Sequence, residues 1–189
     1  MKRQKVQFID IETTHLNKKV GEIIEIAILT SFDNGKTIAT QWSTRIKPDH
    51  IETADTKALE INNYCPFIWN EAPKWIYSWS KIIDQIDKNA IIVAHNILFD
   101  ASWIEEKVGK EIEWSFPRKK ICTQTLALEH LPTAPSVSLS YLRKLFKLSN
   151  ILAHTAMKDT KDCWIIFNKL NQATALKRLW WRFKIWKLK

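Results

Sequence analysis

The segment VQFIDIETTHL, residues 6–16, decides the fold because it joins the pattern of a buried β-strand to two carboxylates. Its strand-forming residues predict a buried strand close to the N-terminus: Val6, Phe8, Ile9 and Ile11. Side chains two residues apart on a strand project from the same face, so we expect the acids of Asp10 and Glu12 to lie close together. Because like charges repel, such a pair beside a hydrophobic strand indicates a metal cation or a shared proton.

The rest of the chain predicts an α/β fold. Two more strands are expected over residues 22–32 and 36–46, and Asn34-Gly35 between them predicts a hairpin. Short buried strands are expected at 90–96 and 120–122, and helices at 73–88, 97–108, 123–131, 139–148 and 155–170, with 50–63 helical or irregular. Thr123 and Ser138 are candidate helix caps. Three antiparallel strands followed by alternating helices and strands predict a central mixed sheet, with parallel additions, flanked by helices.

Composition favours a polyanionic partner inside the cell. The 189 residues suit one domain of ordinary size, and the formal net charge of +9 favours nucleic acid first and an acidic membrane surface second. The three cysteines are far apart and in no CxxC arrangement, which argues against a disulfide framework and a zinc site. With no signal-peptide core and no apolar run long enough to cross a bilayer, we expect a soluble, cytoplasmic protein without a membrane span.

The C-terminal segment, residues 171–189, differs from the body because it is basic and rich in tryptophan. Five of its apolar residues could form one helix face: Leu176, Leu179, Trp180, Phe183 and Trp186. Three others fall off that face: Trp181, Ile185 and Leu188. Three interpretations remain open: a final helix packed on the body, an arm that binds nucleic acid, and a helix that binds a membrane surface or a partner.

Two further segments carry polar residues between apolar ones. In VAHNILFDASW, residues 93–103, His95 and Asn96 end a strand and Asp100 lies near the start of the next helix. An acid at that place ordinarily complements the helix dipole. In LAHTAMKDTKDCW, residues 152–164, His154 precedes a helix and Asp159 lies just inside it. Taken alone, the acids of this second segment are a solvated helix face and the histidine is a loop residue.

Taken together, the three segments resemble the DEDDh group of 3′→5′ exonucleases. DxE on a first strand is followed by HNxxFD after a middle strand and by HxAxxD at a last helix, in order across residues 4–170. The group includes polymerase proofreading exonucleases, ribonuclease T, the Trex enzymes and exodeoxyribonuclease X, and residues 121–145 are most similar to exodeoxyribonuclease X and the proofreading branch. The resemblance implies a ribonuclease H-like fold, with an exonuclease domain over 1–170 and the segment 171–189 as a C-terminal helix or arm.

The resemblance also implies a two-metal site. It assigns two Mg²⁺ ions, which Mn²⁺ can replace, to four carboxylates and a general base to His154; the ligands are Asp10, Glu12, Asp100 and Asp159. A histidine of ordinary pKa suits the base, since it is mostly neutral near pH 7. Asp162 lies one helical turn from Asp159 and could compete with it as a ligand, although the HxAxxD register favours Asp159.

The family resemblance places the 3′ end of the substrate against residues 13–16. Backbone amides of Thr13 and Thr14 are expected to contact the terminal nucleotide, with Leu16 beside the last base and Phe99 as a stacking surface; a core contact is the alternative for both apolar residues. The middle motif adds His95, for which a structural role at the strand end is the alternative, and Asn96. The proofreading branch usually has glycine at the position of His15, so this residue departs from the family. Two alternatives follow: the loop has a different shape here, or the imidazole contacts the terminal phosphate or sugar.

The expected activity is release of nucleoside monophosphates from DNA 3′ ends, in single strands or at frayed ends. Exoribonuclease activity remains an alternative because tolerance of the 2′-hydroxyl depends on pocket shape. A proofreading subunit docked on a polymerase and a non-catalytic nucleic-acid-binding module are further alternatives. A homodimer is also compatible with the resemblance.

Overall fold

The computed structural model describes residues 4–187 and has one five-stranded sheet in the order β3-β2-β1-β4-β5. The strands are β1 Val6–Thr13, β2 Ile23–Phe32, β3 Thr37–Arg45, β4 Ile91–Ala94 and β5 Lys120–Cys122. The first three pair antiparallel, and β4 and β5 are added in parallel. This mixed sheet flanked by helices confirms the predicted α/β class.

Helices cover both faces of the sheet. They are α1 Thr56–Ile61, α2 Pro66–Trp69, α3 Trp75–Gln85, α4 Ile97–Gly109, α5 Thr123–His130, α6 Leu139–Phe146, α7 Ala156–Asn171 and α8 Ala175–Lys187, with a 3₁₀ turn at Ile51–Thr53. Within residues 4–187, none of these helices has the length and apolarity needed to cross a membrane.

One of the two predicted helix caps is confirmed. Ser138 caps α6, since its side chain accepts from the N–H of Tyr141. The prediction of Thr123 as a cap is wrong: it is the first residue of α5 itself, and its hydroxyl donates to the carbonyl of Ala94. Burial explains the difference, because the fully buried hydroxyl of Thr123 finds its acceptor on β4.

Alternation along β1 sorts its side chains between two cores. Ile9 and Ile11 enter the core that contains α3 and α4 residues, whereas Val6 and Phe8 enter the core on the α7 side. The even-numbered residues continue in that second direction, so the acids of β1 extend the row of Val6 and Phe8 toward α7. The period-two pattern of VQFIDIET thus both builds the sheet and aims its carboxylates.

Helix α7 is fixed to the sheet along its length. Phe167 packs edge-on against Phe8 with ring centroids 5.2 Å apart. The predicted hairpin forms between β2 and β3, and the carbonyl of Gly35 accepts from Trp164 Nε1 at 2.6 Å and Asn168 Nδ2 at 2.9 Å. Gly35 has φ of +90°, and a Cβ there would lie 2.8 Å from the Phe167 ring. The hairpin therefore holds the C-terminal half of α7.

The C-terminal helix α8 packs on the body through residues that lie off the apolar face suggested by spacing. Trp181 and Ile185 are buried in a cluster with α5, α6 and α7, and Trp181 meets Phe146 with ring centroids 5.2 Å apart. The apolar residues of the suggested face are exposed: Leu176, Leu179, Trp180 and Phe183. The interpretation of this stripe as one apolar face therefore identified the outer side of the helix. Leu188 and the side chain of Trp186 lie outside the described part of the structure.

Gly21 allows the loop between β1 and β2 to close against α4. A Cβ at Gly21 would lie 2.8 Å from the His15 Cβ and 2.9 Å from the ring of Trp103, a buried residue of α4. Gly109, at the end of α4, is different, because a Cβ added there would meet open space. It therefore serves as a matched control for substitution at Gly21.

We expect Gly21→Ala to lower the free energy of unfolding by about 1–3 kcal/mol, because overpacking forces the neighbouring backbone to shift. Gly109→Ala should be neutral or slightly stabilising, since alanine favours helix over glycine. Urea denaturation of both variants measures the difference. Equal stability of the two variants would contradict the close packing of the loop.

Candidate metal centre

Three of the four predicted ligands converge where β1 meets the first turn of α7. One carboxylate oxygen each from Asp10, Glu12 and Asp159 lies within 4.8 Å of the others. Oxygen donors at this spacing suit a hard divalent cation, and the three acids together carry more negative charge than one such ion. This donor set fits the predicted metal. The acids meet because strand alternation directs Asp10 and Glu12 toward α7 and because Asp159 lies in the first turn of that helix.

Asp100 lies beside this group and is anchored differently. Strand β4 pairs with β1 only from Val6 to Phe8, so its end leaves the backbone of β1 near the acids unpaired on that side. The N–H of Ile11 donates instead to Asp100 Oδ1 at 3.2 Å. Asp100 is 2% exposed, and its charge raises the pKa of Asp10 and of Glu12. It is therefore an electrostatic neighbour of the three converging acids.

Burial and mutual repulsion raise the pKa values of the clustered acids. Burial, then the charge of Glu12, raises the pKa of Asp10 well above its ordinary value. Burial, then the charge of Asp159, raises the pKa of Glu12 to about 8. Burial raises the pKa of Asp100 to about 8, and burial also raises the pKa of Asp159. A divalent cation would favour the charged forms that the fold disfavours.

Glu25 is a further acid of this region. It faces Glu12 across the β1–β2 ladder and is buried, and its charge contributes to the raised pKa of Glu12. Burial raises the pKa of Glu25, while Arg45, its partner on β3, opposes that shift. Glu25 lies two residues before Ala27, which pairs with Asp10, so the register of β1 and β2 places Glu25 beside the acids of β1.

Arg143 is the residue of this region that the sequence patterns did not single out. It lies on α6, is 1% exposed, and pairs with both Asp159 and Asp162. Asp162 is 2% exposed and also pairs with Lys158, so it is engaged with cations and lies outside the converging acids. The register argument that preferred Asp159 to Asp162 therefore agrees with the geometry. A single arginine in a short amphipathic helix carries no spacing signal of its own.

His154 stands at the edge of the cluster. Its side chain is exposed, and its backbone N–H donates to Asp159 Oδ1 at 3.2 Å. Its φ of +63° places it in the left-handed region, two residues after Leu152, which has φ of +60°. The loop thus brings the histidine backbone to the acid while leaving the imidazole in solvent.

The residues expected to hold the 3′ terminus divide into engaged and open groups. The N–H of Thr14 donates to the Glu22 carbonyl, and its fully buried hydroxyl accepts from the Glu22 N–H, both at 2.9 Å. The predicted nucleotide contact by that amide is therefore not open in this conformation, because the loop uses it to close. Thr13 is also buried, and its hydroxyl donates to the His15 carbonyl. Leu16 is 81% exposed, which excludes the core alternative for it.

In the middle motif, a hydrogen bond holds His95, whereas Asn96 is exposed and Phe99 is half-buried. His95 Nδ1 lies 2.9 Å from the Thr123 hydroxyl, and burial lowers the pKa of His95 to about 4, so its ring is neutral near pH 7. This geometry matches the structural alternative for His95. Asn96 is exposed, with φ of +76°, where β4 turns into α4. Phe99 is half-buried and packs on Trp103 with ring centroids 5.9 Å apart.

Without metal, the stability of the fold should decrease as the pH rises. Glu12 has a folded pKa of about 8 against an ordinary 4.5, so between these values the unfolded chain loses its proton while the folded chain keeps it. We expect the melting temperature in chelator to fall from pH 5 to pH 8. Glu12→Gln, which stays neutral, should be more stable than the wild type at pH 8 by on the order of a few kcal/mol and similar at pH 4. Parallel melting curves of the two proteins across this range would contradict the raised pKa.

Comparison with known proteins places this geometry in a family. The model of the exonuclease family named RNase_T matches residues 8–167. A PolC-type DNA polymerase III from Caldanaerobacter subterraneus subsp. tengcongensis is 28% identical over 166 residues, covering 85% of this chain and 11% of the polymerase. Two solved structures share the fold. E. coli exonuclease I bound to single-stranded DNA has a TM-score of 0.76 at 16% identity, over 96% of this chain and 43% of that one. Cell-death related nuclease 4 has a TM-score of 0.72 at 15% identity, over 90% and 64%.

The chain thus spans a small part of the polymerase and less than half of exonuclease I. The family model nevertheless covers the residues of the strand, the middle helix and the last helix that carry the four acids. The chain belongs to the DEDDh family of 3′→5′ exonucleases.

Proposed function

We propose that this protein is a metal-dependent 3′→5′ exonuclease that releases nucleoside monophosphates from DNA 3′ ends, in single strands or at frayed ends. The observation that carries the proposal is the convergence of Asp10, Glu12 and Asp159 within 4.8 Å in a chain of the exonuclease family. Asp100 adds a fourth carboxylate, itself buried, beside them. Such a concentration of acids has a clear use in phosphodiester hydrolysis, where cations must neutralise charge on the phosphate.

We assign Mg²⁺, two ions when substrate is bound, to these four carboxylates, with Mn²⁺ able to replace it, since both prefer oxygen ligands. When bound, the metal would supply an ionised water near neutral pH and would stabilise charge on the phosphate and leaving oxygen. Asp10 and Glu12 would hold the metal from strand β1, and Asp159 would hold it from helix α7. We assign proton transfer from the attacking water to the exposed imidazole of His154, whose backbone is fixed to Asp159.

The substrate assignment rests on exposed groups and on what related proteins bind. Leu16 projects from the loop after β1, and we assign it to contact with the terminal base, with Phe99 as a stacking surface on the α4 side. The Nδ1 atom of His15 accepts from the Asn17 N–H, so the neutral ring carries its hydrogen on Nε2 and can donate to a phosphate or sugar. Single-stranded DNA bound to exonuclease I and the polymerase relative favour DNA over RNA as substrate.

Purified protein with Mg²⁺ or Mn²⁺ should shorten a 5′-labelled DNA oligonucleotide one nucleotide at a time, and a matched RNA more slowly. Asp10→Asn and Asp159→Asn should each reduce the rate by at least about 100-fold, because each removes a charged ligand. Asp84→Asn, on an exposed site of α3, is the matched control and should keep the wild-type rate. Metal-independent binding without shortening would instead indicate a nucleic-acid-binding module, and faster loss of RNA an exoribonuclease.

The His154→Ala variant tests the base. We expect kcat to fall by about 100- to 10,000-fold and the acidic limb of the pH–rate profile to disappear, because a general base must be unprotonated to act. Divalent-metal affinity, measured by calorimetry, should remain near that of the wild type since His154 is exposed and is not one of the converging acids. A wild-type pH profile in this variant would assign proton transfer to another group.

A further inference from the structure

A buried arginine stands against the carboxylate cluster on the side of α6. Arg143 is 1% exposed and directs its Nη2 atom to Asp159 Oδ1 and its Nε atom to Asp162 Oδ2, the latter at 2.6 Å. Taking a guanidinium out of water is costly unless strong hydrogen bonds and opposite charges replace the lost solvation. Both partners are buried acids, so the pairing is fully enclosed by the protein.

The neighbours of Arg143 fix it in place. Leu142 and Leu145, on either side of it in α6, are fully buried in the cluster that also contains α7 residues. Asp162 holds the Nε side, and Lys158 reaches the same carboxylate from one turn earlier on α7. Asp162 is thus an anion that pairs with two cations at once. Its negative charge therefore offsets the charge of Arg143 only in part, and Arg143 also acts on the acids of the proposed metal site.

The effect of this charge extends beyond direct contact. Asp10, Glu12 and Asp159 repel one another, and the positive charge of Arg143 lowers the pKa of each against that repulsion and against burial. At Asp159 the arginine and the His154 N–H share one oxygen, Oδ1, which orients the carboxylate. The second oxygen is then left for a cation.

We propose that Arg143 is an internal counter-cation of the metal site: it assembles the acids before metal binds, and it makes metal binding weaker than the acids alone would. Asp162 has the opposite effect, because it pairs with Arg143 and offsets part of its positive charge. The inference rests on the proposed metal-dependent function. It assigns Arg143 as a positioning residue that acts through Asp159.

A double variant and a single variant should change metal affinity in opposite directions. Arg143→Met with Asp162→Asn removes the cation and its balancing anion together, at no change in net charge, and should tighten Mn²⁺ binding roughly tenfold because the remaining acids lose their internal cation. Asp162→Asn alone leaves the full charge of Arg143 facing Asp159, so Mn²⁺ should bind roughly threefold or more weakly than in the wild type. A purely structural role for the ion pair predicts no such reversal.

Isothermal titration of Mn²⁺, and of Ca²⁺ as a second ion, into the 189-residue protein gives the affinities. Lys158→Met is the matched control: it also removes a cation from Asp162 but leaves the contact between Arg143 and Asp159, so any change in Mn²⁺ affinity should be a gain of no more than about twofold. Melting temperatures measured in chelator and in Mn²⁺ give a second readout. The gain in melting temperature on adding Mn²⁺ should be largest in the double variant, whose acids lack any internal cation.

Each outcome bears on a stated claim. Unchanged or weaker binding by the double variant, or unchanged or tighter binding by Asp162→Asn, would overturn the counter-cation role while leaving the metal site intact. A wild-type protein that binds neither ion would overturn the proposed metal-dependent function and this inference with it. Should the double variant fold only with Mn²⁺ present, as shown by circular dichroism, that result supports the role in assembly, and Asp162→Asn still supplies the affinity test.

Discussion

Repulsion among partly and fully buried carboxylates is the constraint on which the rest of the structure depends. Period-two alternation sends Asp10 and Glu12 to the same side of the sheet as Val6 and Phe8, so the acids lie against a helix that packs on hydrophobic side chains. A fold with this arrangement must supply protons, an internal cation or a bound metal. The raised pKa of Glu12 corresponds to the first of these, and the contact of Arg143 with Asp159 corresponds to the second.

The position of α7 decides whether the acids meet. Near its C-terminal half the helix is held by Phe8 and by the Gly35 carbonyl of the hairpin, contacts that are apolar or between neutral groups. At its N-terminal turn it carries Asp159 into the repulsive cluster, where Arg143 compensates. The helix is therefore anchored at the end where packing is favourable, which allows it to hold a charged side chain at the end where packing is not. Metal-site geometry and hairpin docking are parts of one arrangement.

The sequence predicted those features that have a local period or a motif. Asp10 and Glu12 follow from strand alternation, and the HxAxxD spacing selected Asp159, which lies among the converging acids, over Asp162, which lies outside them. What could not be read locally depends on partners distant in the chain. The inner side of α8 is one example, because its stripe of exposed apolar residues has the better helical spacing while Trp181 finds its contact on α6. The contact between Arg143 and Asp159 is another example, since nothing in the sequence of α6 specifies which helix Arg143 faces.

The departure at position 15 illustrates how such distant compensation works. Glycine at that position would allow positive φ, yet His15 is not among the described residues with positive φ, so the loop does not require that conformation here. What the loop requires is close approach of its two ends, joined by hydrogen bonds between Thr14 and Glu22. Gly21 meets that requirement from the opposite side, because its missing Cβ makes room for the Cβ of His15. The loop can thus carry an imidazole at position 15 because the space for its Cβ is provided by a glycine later in the same loop.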